Sequence, residues 1–157
     1  MSQPISPAGA VVIDANILIA ICSKESTEST ARAELENYIN KNWAVYAPSV
    51  ISSEVIFVLC KKVQNGIIDE VTYQKAVEDL IDFMSVILPP PNGDAALLLR
   101  AEQIRTDYSC LHSTDGFYLA LTEQLGFIGE TEFLTFDQGT VNVAAKNAPT
   151  IHVNLLH

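Results

Sequence analysis

Four acidic residues each end or interrupt an apolar stretch: Asp14 in A-V-V-I-D-A-N-I-L-I, Glu54 in S-V-I-S-S-E-V-I-F-V-L, Asp115 in H-S-T-D-G-F-Y-L-A-L and Asp137 in E-F-L-T-F-D. A carboxylate beside core segments is costly to bury without a partner. Two unit charges about 4 Å apart repel by roughly 1 kcal/mol in water and by about 4 kcal/mol at an effective dielectric near 20. Four such groups brought together would need a cation. Hard oxygen donors suit a divalent metal, and such a centre points to hydrolysis of phosphate esters.

The elements that would position these acids alternate in type. Residues 10–13, 43–47, 86–88, 133–136 and 151–153 read as short strands, the third closed by Pro89-Pro90-Pro91. Between them lie helical patterns. Residues 17–22 and 29–41 form the first two, the second carrying Ala33, Leu35 and Ile39 on a polar background. Pro48 opens a third that stops at Asn65-Gly66. Asp69 caps a fourth bearing Val71, Val77, Leu80, Ile81 and Met84. Asp94 opens a fifth through Tyr108, Ser113 or Thr114 caps a sixth ending at Gly126, and residues 141–146 form the last. Strand–helix alternation predicts an α/β fold, a parallel sheet with helices on both faces. Residues 1–8 read as a flexible tail and 9–157 as one domain.

Ligands of open parallel sheets bind beyond the carboxyl ends of the strands. Asp14 and Asp137 follow strands directly, so both belong to that edge, although each also suits a helix N-cap. Glu54 has Val50, Ile51, Phe57 and Val58 as its neighbours three and four residues away, which places it on an apolar helix face. Ionisable residues seldom sit there without a partner. Lys61 and Lys62, two turns on, are poorly placed to serve as one. Asp115 occupies a first helical turn, where the dipole favours an anion, and its neighbours Leu111, Tyr118 and Leu119 are mostly apolar. His112 reads as a packing or capping residue, and His152 and His157 stand in no motif.

The 157 residues carry 9 basic and 19 acidic side chains, a net charge of −10, and are 48% hydrophobic. The length suits one domain. The charge excludes a broad basic nucleic-acid platform, though a bound cation can reverse the sign of an acidic cleft. It also suits a partner with a basic segment. No run of about 18 apolar residues is present, so no membrane span is expected. The start has neither a basic region nor a long apolar run, so no secretory leader is expected either. Cys22, Cys60 and Cys110 are odd in number without C-x-x-C spacing, and read as reduced core thiols of a cytoplasmic protein.

The pieces V-I-D-A-N, S-S-E-V, T-D-G-F-Y-L-A-L-T-E-Q-L-G and F-L-T-F-D, in this order, resemble the PIN-domain ribonuclease family, and especially the VapC-like toxins of toxin–antitoxin pairs. The resemblance covers about residues 10–154 and implies a three-layer fold, a central parallel five-stranded sheet flanked by helices. It implies that Asp14, Glu54, Asp115 and Asp137 bind Mg²⁺ or Mn²⁺ and carry the catalysis, with Asn16 and Thr135 supporting the site. It also implies an RNA substrate, a cognate antitoxin as partner, and a homodimer. Two positions depart from the family pattern: Gly116 after the third acid, and Gln138-Gly139 after the fourth. The competing reading is a PIN-like module that binds RNA or protein with weak or no nuclease activity. An aspartyl phosphatase of the haloacid dehalogenase type would want D-x-D, and here the second position is Asn16.

Overall fold

The computed structural model describes residues 6–105 and 114–157. Residues 106–113, which include Cys110, His112 and Ser113 and the expected end of the fifth helix at Tyr108, lie outside the described residues.

The sheet is built from β1 (Gly9–Ile13), β2 (Trp43–Tyr46), β3 (Thr131–Thr135) and β4 (His152–Leu155) in the order β2-β1-β3-β4, all parallel. Val12 faces Tyr46 on one side and Phe133 on the other. Val11, Val12 and Ile13 are all fully buried. Successive strand residues point to opposite faces, so helices must cover both sides. Helices α1 (Ala15–Cys22), α2 (Glu28–Asn40), α3 (Val50–Gln64) and α4 (Glu70–Val86) pack among themselves. A 3-10 turn at Asp94–Leu97 leads into α5 (Leu98–Arg105), which packs on α6 (Asp115–Gly126) and α7 (Gln138–Asn147).

Among the described residues the sheet has four strands rather than five. The expected strand at 86–88 is reduced to one isolated parallel bridge between Tyr46 and Leu88. Two causes coincide. Helix α4 persists through Val86, and Pro89, Pro90 and Pro91 carry no N–H to extend the ladder. Leu88 alone pairs, donating to the Val45 carbonyl at 2.8 Å and accepting from Ala47 at 3.2 Å.

Helical faces also differ from expectation. On α2 the inward stripe is Ala31, Leu35 and Tyr38, while Ile39 is exposed. On α4 it is Ala76 and Leu80, with Tyr73, Phe83 and Met84 packed beside them, leaving Val71 and Ile81 in solvent. Both stripes follow the 3.6-residue period, on a different set of apolar residues from the one the sequence suggested. Asp69 caps α4 as expected, accepting from the Thr72 N–H at 2.7 Å. Cys22 is buried, and burial pushes its thiol up to about 12. Cys60, expected in the core, is exposed because it lies outside the Ile51–Val55–Leu59 stripe of α3. The backbone is already tied down before β1: Ala8 donates to the Asn42 carbonyl and the Asn42 amide to that of Ser6.

Candidate metal and nucleic-acid site

Asp14 directly follows β1 and caps α1, its Oδ1 accepting from the Ala15 N–H at 2.7 Å. Its Oδ2 accepts from the Thr135 hydroxyl at 2.8 Å and from the Asn16 amide at 3.3 Å. The Thr135 oxygen in turn accepts from the Asn16 amide at 3.2 Å and the Asp137 N–H at 2.9 Å, and Asn16 Oδ1 accepts from the Phe136 N–H at 3.3 Å. These bonds tie the carboxyl end of β1 to that of its parallel neighbour β3. Hydroxyl and amide dipoles are the only polar partners of Asp14 among the described residues; no Lys, Arg or His reaches it.

That setting is electrostatically poor. Burial pushes the Asp14 carboxyl up from 3.8 to about 7, the charges of Asp115 and Glu54 add to the rise, and the bonds from Thr135 and Ala15 oppose it. Asp14, Glu54 and Asp115 are therefore near enough to interact, although they come from the end of β1, the middle of α3 and the start of α6.

Glu54 is half-buried on the flank of the α3 stripe. Of the apolar neighbours expected around it, Ile51 is buried but Phe57 is 63% exposed. What draws Glu54 inward is instead a pair of hydroxyls. Tyr118 donates to Oε1 at 2.7 Å and Thr114 to Oε2 at 2.9 Å. Burial first, and then the Glu54 charge, hold the Tyr118 phenol protonated well above its ordinary range. Sequence reasoning assigned Thr114 to capping and Tyr118 to apolar packing. The only local signal for a second role was the placement of both beside Asp115.

Asp115 is the first residue of α6. The glycine after it has a packing cause, since a Cβ on Gly116 would lie 2.4 Å from the Ala101 carbonyl oxygen. Only glycine lets the first turn of α6 approach α5 this closely. Asp137 follows β3 by one residue and caps α7, with Oδ1 accepting from the Gly139 N–H at 2.8 Å and Oδ2 from the Thr140 hydroxyl at 2.9 Å. A Cβ on Gly139 would sit 3.1 Å from that Oδ1, so this second departure also leaves room for a site acid. Asp137 meets the Asp14 group through Thr135 rather than through direct contact between carboxylates. Among the described residues, no three His, Cys, Asp or Glu side chains stand close enough to hold one ion as placed.

The basic residues considered for RNA contact are engaged locally. Lys62 pairs with Glu25 and donates to Ser23, Lys61 reaches Gln64, Arg100 forms a bidentate pair with Glu123 at 2.7 and 2.8 Å, and Arg105 pairs with Glu102.

The sequence profile of the PIN domain matches residues 11–146, most of the chain. The chain belongs to the PIN domain family. PIN domains are generally nucleases, those nucleases act on RNA, and they generally use divalent metals. The match begins in β1 and ends in α7, so it spans all four acids. No curated protein matches the chain significantly. Among the described residues no helix is long and apolar enough to cross a membrane.

Proposed function

We propose that this PIN domain is a divalent-metal-dependent endoribonuclease and the toxin component of a toxin–antitoxin pair. In this reading Asp14, Glu54, Asp115 and Asp137 are the ligands of Mg²⁺ or Mn²⁺. The observation that carries it is the Asp14 carboxylate: buried, near two other acids and, among the described residues, satisfied by neutral dipoles alone. A carboxyl raised in this way is a group whose charge lacks its counter-ion. The candidate ligands are all carboxylate oxygens, the hard donors these cations prefer.

When bound, such a cation supplies a lowered water pKa and charge stabilisation for in-line attack on a phosphodiester. The chain's own residues do the rest. Thr135 and Asn16 fix the Asp14 carboxylate at the sheet edge. The α6 N-terminus brings Asp115 beside it, where the helix dipole tolerates the charge. The hydroxyls of Thr114 and Tyr118 engage Glu54 without neutralising it. RNA with looped or single-stranded segments exposes its backbone to such an edge. The net charge of −10 suits an antitoxin with a basic segment.

The test is cleavage of several structured RNAs by purified protein. Activity is expected with Mg²⁺ or Mn²⁺ and none in EDTA, abolished by Asp14→Asn and by Asp115→Asn, severely reduced by Glu54→Gln, and less reduced by Asp137→Asn. Induced expression should arrest growth, and the Asp14→Asn variant should not. Metal-independent cleavage that survives Asp14→Asn overturns the mechanism. Absence of metal binding would favour the reading as an RNA- or protein-binding module.

A further inference from the structure

The geometry points to Tyr118 and Thr114 as positioning residues that hold the Glu54 carboxylate in place as a metal ligand, an inference that rests on the role proposed for Glu54 above. Glutamate is a flexible ligand. Its side chain loses rotamer freedom when it coordinates, and that loss opposes binding unless the side chain is already ordered. Here each carboxylate oxygen accepts one hydroxyl, Oε1 from Tyr118 at 2.7 Å and Oε2 from Thr114 at 2.9 Å. An ionised carboxylate offers about four acceptor sites, so both oxygens retain capacity toward a cation. Both donors are neutral, so the negative charge a cation needs is preserved. A lysine in either place would order Glu54 equally well and cancel that charge.

Both donors also flank Asp115. Thr114 immediately precedes it and Tyr118 lies three residues on, so one turn of α6 presents one acid and clamps another from α3. The clamp is anchored in the core. Tyr118 is 1% exposed, and its ring lies against Phe133 of β3, with centroids 6.2 Å apart. Two residues further along β3, Thr135 donates to Asp14. Asp14 and Glu54 are thus held by hydroxyl donors on β3 and at the start of α6, the helix that also carries Asp115. Residues that orient metal ligands in this way typically change metal affinity by 10–100-fold when removed.

The test is a calorimetric Mn²⁺ titration of the full chain, run beside thermal melts in EDTA. Tyr118→Phe keeps the ring and removes the donor, and is expected to weaken Mn²⁺ binding by about 10–100-fold. Thr114→Val should do the same, while Thr114→Ser, which keeps the hydroxyl, should bind as the wild type does. A lower melting temperature with unchanged Mn²⁺ affinity in Tyr118→Phe and Thr114→Val means a purely structural role and overturns the proposal. Should Tyr118→Phe fail to fold, the Thr114→Val and Thr114→Ser pair decides. If Glu54→Gln binds Mn²⁺ like the wild type, Glu54 is no ligand and the clamp falls while the other acids stand. If the wild type binds no Mn²⁺, the proposed function falls and the clamp with it.

Discussion

Replacing Asp14 with asparagine should make the metal-free protein more stable at neutral pH, and the size of the effect follows from the site. The carboxyl is raised from 3.8 to about 7, chiefly by burial. Between those values the folded protein holds a proton that the unfolded chain has released. Stability therefore falls as pH rises from about 4 to about 7, and the loss is complete above 7. At about 1.4 kcal/mol per pH unit, ionised Asp14 costs the fold about 4 kcal/mol. Asparagine removes that cost but brings one of its own. Its oxygen can still accept from Ala15. Its amide must then face the Thr135 hydroxyl oxygen, which already accepts from Asn16 and from Asp137. An unmatched buried donor costs about 1–2 kcal/mol. The net expectation at pH 8 in EDTA is a gain of about 2–3 kcal/mol, seen in urea unfolding as a higher midpoint with an unchanged slope. Near pH 4 the sign should reverse, with the variant about 1 kcal/mol the less stable. A gap independent of pH, or a variant weaker at pH 8, would mean that Asp14 is an ordinary helix cap, and the reasoning about its charge would be wrong.

Two further outcomes follow from packing. Gly116→Ala should destabilise by about 1–3 kcal/mol, because the new Cβ meets backbone of Ala101 that cannot swing away; a change under about 0.5 kcal/mol in urea unfolding would refute the close approach of α5 and α6. Tyr38→Phe should cost about 1–2 kcal/mol, since the buried phenol donates to Glu132 and accepts from Asn154; an unaltered unfolding midpoint would show that water replaces both contacts.

What could be read from the chain, and what could not, divides by the range of the interaction. Asp14 and Asp137 were legible because a parallel strand followed by an acid is a local pattern. Parallel pairing of β1 with β3 then puts both on one edge whatever else happens. The strand expected at 86–88 failed for a reason also present locally. Three prolines in succession deny the ladder its donors, and that signal outweighs the apolar character of Val86, Ile87 and Leu88. Glu54 was singled out on a partly mistaken premise, since Phe57 beside it lies in solvent. Its real partners, Thr114 and Tyr118, are 60 and 64 residues distant along the chain. No periodicity within α3 encodes them. The same holds for Gly116, whose cause is the backbone of Ala101 on another helix. The apolar stripes of α2 and α4 were misjudged because each helix carries apolar residues on more than one face, and only tertiary packing selects among them.

The cost of Asp14 and the affinity of the site for metal are two views of one free energy. A cation that binds only the folded state stabilises it by about 2.7 kcal/mol at a free concentration 100 times Kd. That matches the advantage of about 2–3 kcal/mol expected for metal-free Asp14→Asn at pH 8. If the variant has lost metal binding, the wild type should therefore draw level with it at roughly 100 times Kd of free Mn²⁺ and lead beyond that. The surrounding charges sharpen the point. Lys61, Lys62, Arg100 and Arg105 are engaged with neighbouring side chains, and the chain as a whole carries −10. A polyanion approaching this edge meets no uncommitted protein cation among these four. Under this reading the bound metal supplies positive charge for the phosphate that these four do not. The same cation would relieve the repulsion among Asp14, Glu54 and Asp115, so under this reading metal loading and substrate attraction are a single event.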